Sequence, residues 1–138
     1  MSRTQALPVN CGIISAMSKH SITLYGITNC DTVRKARAWL TAHGIDYQFH
    51  DFRKEGVPEA GVDGWMRAVG WEKLVNRQGN TWRKLDPAEQ ALVTDAASTR
   101  ALVLEHASVI KRPVVEWNKD TTTVGFDAAQ WTALANNL

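Results

Sequence analysis

The stretch "ITLYGITNCDTVRKARAWL" (22–40), followed by "IDYQFHDF" (45–52), constrains the fold more than any other part of the chain. Ile22 and Leu24 alternate with Thr23 and Tyr25, as in a short strand buried mainly on one face. Beyond a short loop, Val33, Ala36 and Leu40 recur at helical spacing while Arg34, Lys35 and Arg37 stay polar, and His43-Gly44 ends the run. That is a helix of about three turns. Alternation then resumes through Tyr47 and Phe49. Strand, helix and strand in so short a span make a βαβ unit, whose crossover is expected to be right-handed.

Between Pro58 and His106 no strong strand pattern occurs, and the helical signals are uneven. Gly61 and Gly64 weaken the first of them. Asp86-Pro87-Ala88-Glu89 marks a helix start, with an N-cap carboxylate, proline at the first helical position and Glu at N3, and the helix is expected to run through Leu92. Ser98 to His106 reads as a further helix. "PVVEW" (113–117) and "TTTV" (121–124) flank Asn118-Lys119-Asp120, which predicts an antiparallel hairpin with a three-residue loop. Asp127 as N-cap, Gln130 at N3 and a Phe126–Trp131 staple mark the final helix. The order is β-α-β, helices, then β-β-α, an α/β thioredoxin-like (glutaredoxin-like) skeleton with a helical insertion over about 57–108.

With 138 residues and 44% hydrophobic content, the chain is expected to form a single globular domain over 21–138. Residues 1–20 read as a disordered N-terminal extension or an overextended start, since Met17 opens "MSKHSITLYG". Pro8 and Asn10 interrupt any signal-peptide core there. Sixteen Lys and Arg against fourteen Asp and Glu leave a net charge of +2, too small to support non-specific nucleic-acid binding. Two cysteines, Cys11 and Cys30, make no disulfide framework, and the four histidines lack metal-ligand spacing. A reducing cytoplasm is expected, with no membrane partner and no tightly bound cofactor.

Cys30 falls where the loop becomes the helix. Unpaired backbone N–H groups and the positive end of the helix dipole favour thiolate there, and nearby arginines strengthen the effect. Arg34 lies one turn later on the same helix. In a thioredoxin-like fold the loop entering the third strand passes beside this cysteine. Pro113 is the candidate cis proline of that loop, and Arg112 before it would aim its guanidinium into the site. The alternative is a proline that merely starts an edge strand after a surface Lys-Arg pair.

"LYGITNCDTVRKARAWLTAHGIDYQFHDFRKEGV", "NTWRKL", "EHASVIKRPVVEW" and "VGFDAAQW" together resemble the arsenate-reductase-like ArsC/Spx family, and within it the YffB branch. The resemblance implies a thioredoxin-like domain with inserted helices. Its arsenate reductases use a C-x3-R element, matched by Cys30 and Arg34, plus three later arginines. Arg112 matches one of these. The middle one aligns with Gln78, with Arg77 adjacent, and the last falls near Gly125 and Phe126, so the charges expected to converge on an oxyanion are incomplete. The Spx regulators carry a CxxC switch, whose second position here is Val33, so no disulfide can form within this loop.

The resemblance thus implies a monothiol oxidoreductase that uses glutathione as co-substrate. Cys30, Arg34 and Arg112 are the expected catalytic residues, and Asn29, Arg77, Gln78, Arg83 and Pro113 the expected substrate-binding ones, with a small thiol, disulfide or oxyanion as substrate. The rival is an Spx-like regulator that docks on RNA polymerase without catalysis. Lys35, Arg37, Arg53 and Lys54 read as solvated surface charges.

Overall fold

In the computed structural model, which describes residues 22–138, the alternating segment forms β1 (Thr23–Gly26), the helical run α1 (Asp31–Ala42), and the second alternation β2 (Gln48–Asp51). The expected N-terminal extension and Cys11 lie outside the described residues. β1 and β2 pair in parallel, Leu24 opposite Phe49. Asp51, itself buried, ends the strand and accepts the Arg53 N–H at 2.8 Å, opening the short α2 (Phe52–Glu55).

Helices fill the middle of the chain: α3 (Glu59–Val69), α4 (Trp71–Leu74), α5 (Asn80–Lys84), α6 (Pro87–Ala91) and α7 (Ala96–Glu105), then a 3-10 turn over Ala107–Val109. α3 runs through both Gly61 and Gly64, the residues expected to weaken it. A methyl group on Gly61 would lie 2.9 Å from Pro58 and 3.2 Å from the Trp65 ring, both on the same helix with Pro58 as its N-cap, so the glycine leaves them room, and the burial of Val62 and Trp65 in the core outweighs its low propensity. α7 starts two residues before Ser98 because Asp95 caps it, accepting the Ser98 N–H at 2.9 Å.

The chain returns as β3 (Val114–Glu116) and β4 (Thr122–Val124), antiparallel and closed by the Trp117 N–H donating to Thr121 O at 2.9 Å around the expected three-residue loop. β3 also pairs antiparallel with β1, giving the sheet order β2-β1-β3-β4. α8 (Ala128–Ala135) follows, with Asp127 accepting from Gln130 N–H at 3.1 Å and Phe126 set 4.8 Å edge-on to Trp131. This mixed α/β arrangement is the thioredoxin-like fold.

Each face of the sheet carries its own core. On one, Leu24 and Val115 meet Val33, Ala36 and Leu40 of α1 and Trp131 of α8. Gly26 permits that approach: a Cβ there would stand 2.8 Å from a Val33 methyl. On the other face, Val114 joins Phe52, Val62, Trp65 and Val103 from the helical segment. Glu116 ties the insertion to the sheet, accepting from the Trp65 indole N–H at 2.7 Å and the Tyr25 hydroxyl at 3.0 Å. Burial, reinforced by the hydrogen bond to Glu116 and its charge, holds the Tyr25 phenol well above its ordinary pKa, so it remains a donor. Cys30 touches both cores, at the end of the sheet where they meet.

Candidate active site

Cys30 is the N-cap of α1, with extended backbone angles (φ −148°, ψ 121°). Its carbonyl accepts the Arg34 N–H at 2.9 Å, which starts the helix and leaves the earlier N–H groups pointing toward the sulfur. The thiol is a free cysteine, partly exposed. Burial opposes its ionisation, but the Val33 N–H, the Arg112 guanidinium and its charge, and the Thr32 N–H outweigh that effect and hold its pKa below the ordinary thiol value. These groups act without a cap hydrogen bond of ordinary geometry.

Arg112 reaches the sulfur because two chain segments run side by side. Val75 and Ile110 form an isolated antiparallel bridge, Asn76 N–H donates to Val109 O at 2.8 Å, and Lys111 N–H donates to Leu74 O at 2.8 Å. This lays residues 109–112 along the strand-like exit from α4 and delivers Arg112 to Cys30. The Arg112 Nη1 is anchored on Ser108 O at 2.9 Å, and the Arg112–Pro113 peptide is cis, as the sequence predicts. Pro113 is buried.

Around the sulfur lies a cavity of about 330 Å³ whose lining is mostly polar. It is lined by Cys30, Thr32 and Arg112, by Asn76 and Gln78, and by Lys111, whose stem lies near Gly125. Gly125 has φ 80°, and a Cβ on it would stand 3.0 Å from Lys111 Cε; the missing side chain gives the lysine its place.

Several expected site residues sit elsewhere. Arg34 does not line the thiol cavity: its guanidinium pairs with the Asp31 carboxylate and donates to Thr28 O at 3.4 Å, and it borders a separate hollow with Arg37 and Tyr47. A carboxylate one turn earlier on the same helix face captures it. Arg77 lies over the Trp82 and Trp71 rings, 5.3 and 6.0 Å from their centroids, outside the thiol cavity. Arg83, on α5, and Asn29, in the loop before Cys30, are exposed and do not line the cavity. Gln78 does line it. Arg37 is not simply solvated, since it stacks 4.0 Å over Phe49 and donates to the Tyr47 hydroxyl at 2.9 Å.

Sequence reasoning missed Lys111, Asn76 and Thr32. The signal for Asn76 and Lys111 is the apolar pair Val75 and Ile110, each beside a polar residue, too short to announce a bridge, whereas Thr32 follows from its place in the first turn after Cys30. Among the described residues, no group of three metal-ligating side chains occurs, and no helix is long and apolar enough to cross a membrane.

A sequence profile of the ArsC family matches residues 25–134, most of the chain. The chain belongs to the ArsC family. It is 48% identical to an arsenate reductase (ArsC) related protein from Brucella melitensis, covering 88% of this chain and 97% of that one with a TM-score of 0.67. Against the YFFB (PA3664) protein the identity is 41% and the TM-score 0.78, over 83% and 98% of the two chains. An uncharacterized protein of Haemophilus influenzae is 35% identical over 81% of this chain and 96% of its own length. The global transcriptional regulator Spx of Streptococcus pyogenes is also related, 25% identical over 77% and 78% of the two chains. These likenesses agree with the expected ArsC/Spx family and its YffB branch. Relative to the Spx pattern, this ArsC-family chain has Val33, fully buried beneath Gly26, where the second cysteine of the switch would stand.

Proposed function

We propose that the protein is a glutathione-dependent thiol oxidoreductase of a reducing cytoplasm, with Cys30 as its single nucleophile. The supporting observation is a free thiol at a helix N-terminus whose pKa is lowered in part by the Arg112 guanidinium. The Cys30 thiolate attacks a sulfur of a glutathione mixed disulfide, RS–SG. The S–S bond breaks, RS⁻ leaves and takes a proton from water, and Cys30–SG forms. A glutathione thiolate then attacks the glutathione sulfur of that adduct, releasing oxidised glutathione and restoring the Cys30 thiolate. The balance is RS–SG plus one glutathione giving RSH and oxidised glutathione, so one free glutathione thiol is consumed for each thiol released. No resolving thiol on α1 is needed.

Arg112 favours the thiolate as nucleophile and as the leaving group of the second step. With Arg34 paired to Asp31, the convergence of arginines that would grip arsenate is weaker here, so arsenate turnover is expected to be slow beside mixed-disulfide reduction. Mass spectrometry after exposure to oxidised glutathione tests the reading. A single glutathione adduct on the Cys30 peptide, removed by added glutathione, is the expected result. A polymerase-docking regulator without catalysis predicts a Cys30 that takes up no glutathione, and that outcome would overturn the proposal.

A further inference from the structure

The thiol cavity does not end at Lys111. A second hollow of about 440 Å³ shares Asn76, Gln78 and Lys111 with it and continues away from the sulfur to Lys73 and Arg77. The groove therefore carries cations at its sulfur end (Arg112), its waist (Lys111) and its far end (Lys73, Arg77), against one carboxylate, Glu72. Two of these cations are placed by the fold. Gly125 leaves room for the lysine stem, and the Trp71 and Trp82 rings flank the Arg77 guanidinium. Asn76 shapes the waist, its side-chain oxygen accepting the Gln78 N–H at 3.2 Å.

We propose that this groove selects elongated acidic disulfides, with Lys111 the specificity-determining residue and Arg77 the holder of a second, distant carboxylate. The inference rests on the proposed thiol chemistry and adds which residues choose among disulfides: those that would recognise an arm carrying carboxylates at two separations from the sulfur. A compact oxyanion fills only the sulfur end. Arg77 thus binds substrate at the far end of the groove, away from the sulfur.

Three probes test it: hydroxyethyl disulfide (neutral), the disulfide of thioglycolate (short, acidic) and oxidised glutathione (long, acidic). The readout is the rate of Cys30 adduct formation, each rate divided by that of the same probe with a free small thiol. Wild type is expected to prefer oxidised glutathione, then the thioglycolate disulfide, then hydroxyethyl disulfide. Lys111→Met should lower the normalised rate for both acidic probes about three- to fivefold relative to the neutral one, the size of a partly exposed ion pair. Lys111→Arg should restore the preference, and Arg77→Gln should affect oxidised glutathione alone. High salt should shrink every difference. Equal normalised rates for the three probes, or a Lys111→Met loss of equal size on all of them, overturns the inference while the thiol chemistry stands. If no disulfide reacts at Cys30, the thiol reading fails and this inference falls with it.

Discussion

Cys30→Ser is expected to abolish mixed-disulfide reduction entirely, leaving only the rate of the uncatalysed exchange. The reacting atom is a sulfur anion, and a serine hydroxyl at the same N-cap neither ionises near neutral pH nor forms a disulfide. The fold should survive. Serine is a favoured N-cap residue and the position is partly exposed, so stability should stay within about 0.5 kcal/mol of wild type. Assaying glutathione mixed-disulfide reduction alongside denaturant unfolding separates the two effects. Measurable turnover by Cys30→Ser would place the chemistry on another residue.

The largest structural effect is expected at Trp65. Its side chain is 1% exposed, lies 4.8 Å from the Tyr25 ring and 6.1 Å from Phe52, and donates to Glu116 at 2.7 Å. Trp65→Ala removes this apolar body and leaves a cavity between the inserted helices and the sheet, at a cost of about 3–5 kcal/mol. Against a total stability of about 5–15 kcal/mol, that is a large share. Trp65→Phe keeps most of the ring area but strips Glu116 of its indole donor, costing about 1–3 kcal/mol. Denaturant midpoints check both values. An alanine loss under about 1 kcal/mol would mean the Trp65 site collapses freely and does not bind the insertion to the sheet.

The fold was largely legible because its pattern is local. Ile22 and Leu24 alternating, Val33, Ala36 and Leu40 at helical spacing, and the capped start at Asp127 each state their element within a few residues. Gly61 was misleading because its helix is held by the burial of Val62 and Trp65 against the sheet, which local propensity does not register. The site was half legible. Cys30 and the cis Arg112–Pro113 peptide follow from the order of elements, whereas the placement of Arg34 turns on competition with Asp31, invisible to spacing alone. Lys111 escaped notice because its position depends on the pairing of its neighbour Ile110 with Val75 and on the missing side chain of Gly125, and Val75 and Gly125 are both far from it in the reading order.

The central claim is that the end of α1 and Arg112 together hold Cys30 as a thiolate. It is tested most directly by the pH dependence of alkylation at the Cys30 peptide, followed by mass spectrometry so that Cys11 does not contribute. Because the folded pKa is lowered, the alkylation rate should rise with pH through a midpoint below the ordinary thiol value of about 8.5. In Arg112→Met the loss of the guanidinium hydrogen bond and charge should move the midpoint upward, slowing the reaction at neutral pH and leaving the high-pH plateau reachable. A wild-type midpoint at about 8.5, unmoved by Arg112→Met, would contradict the account.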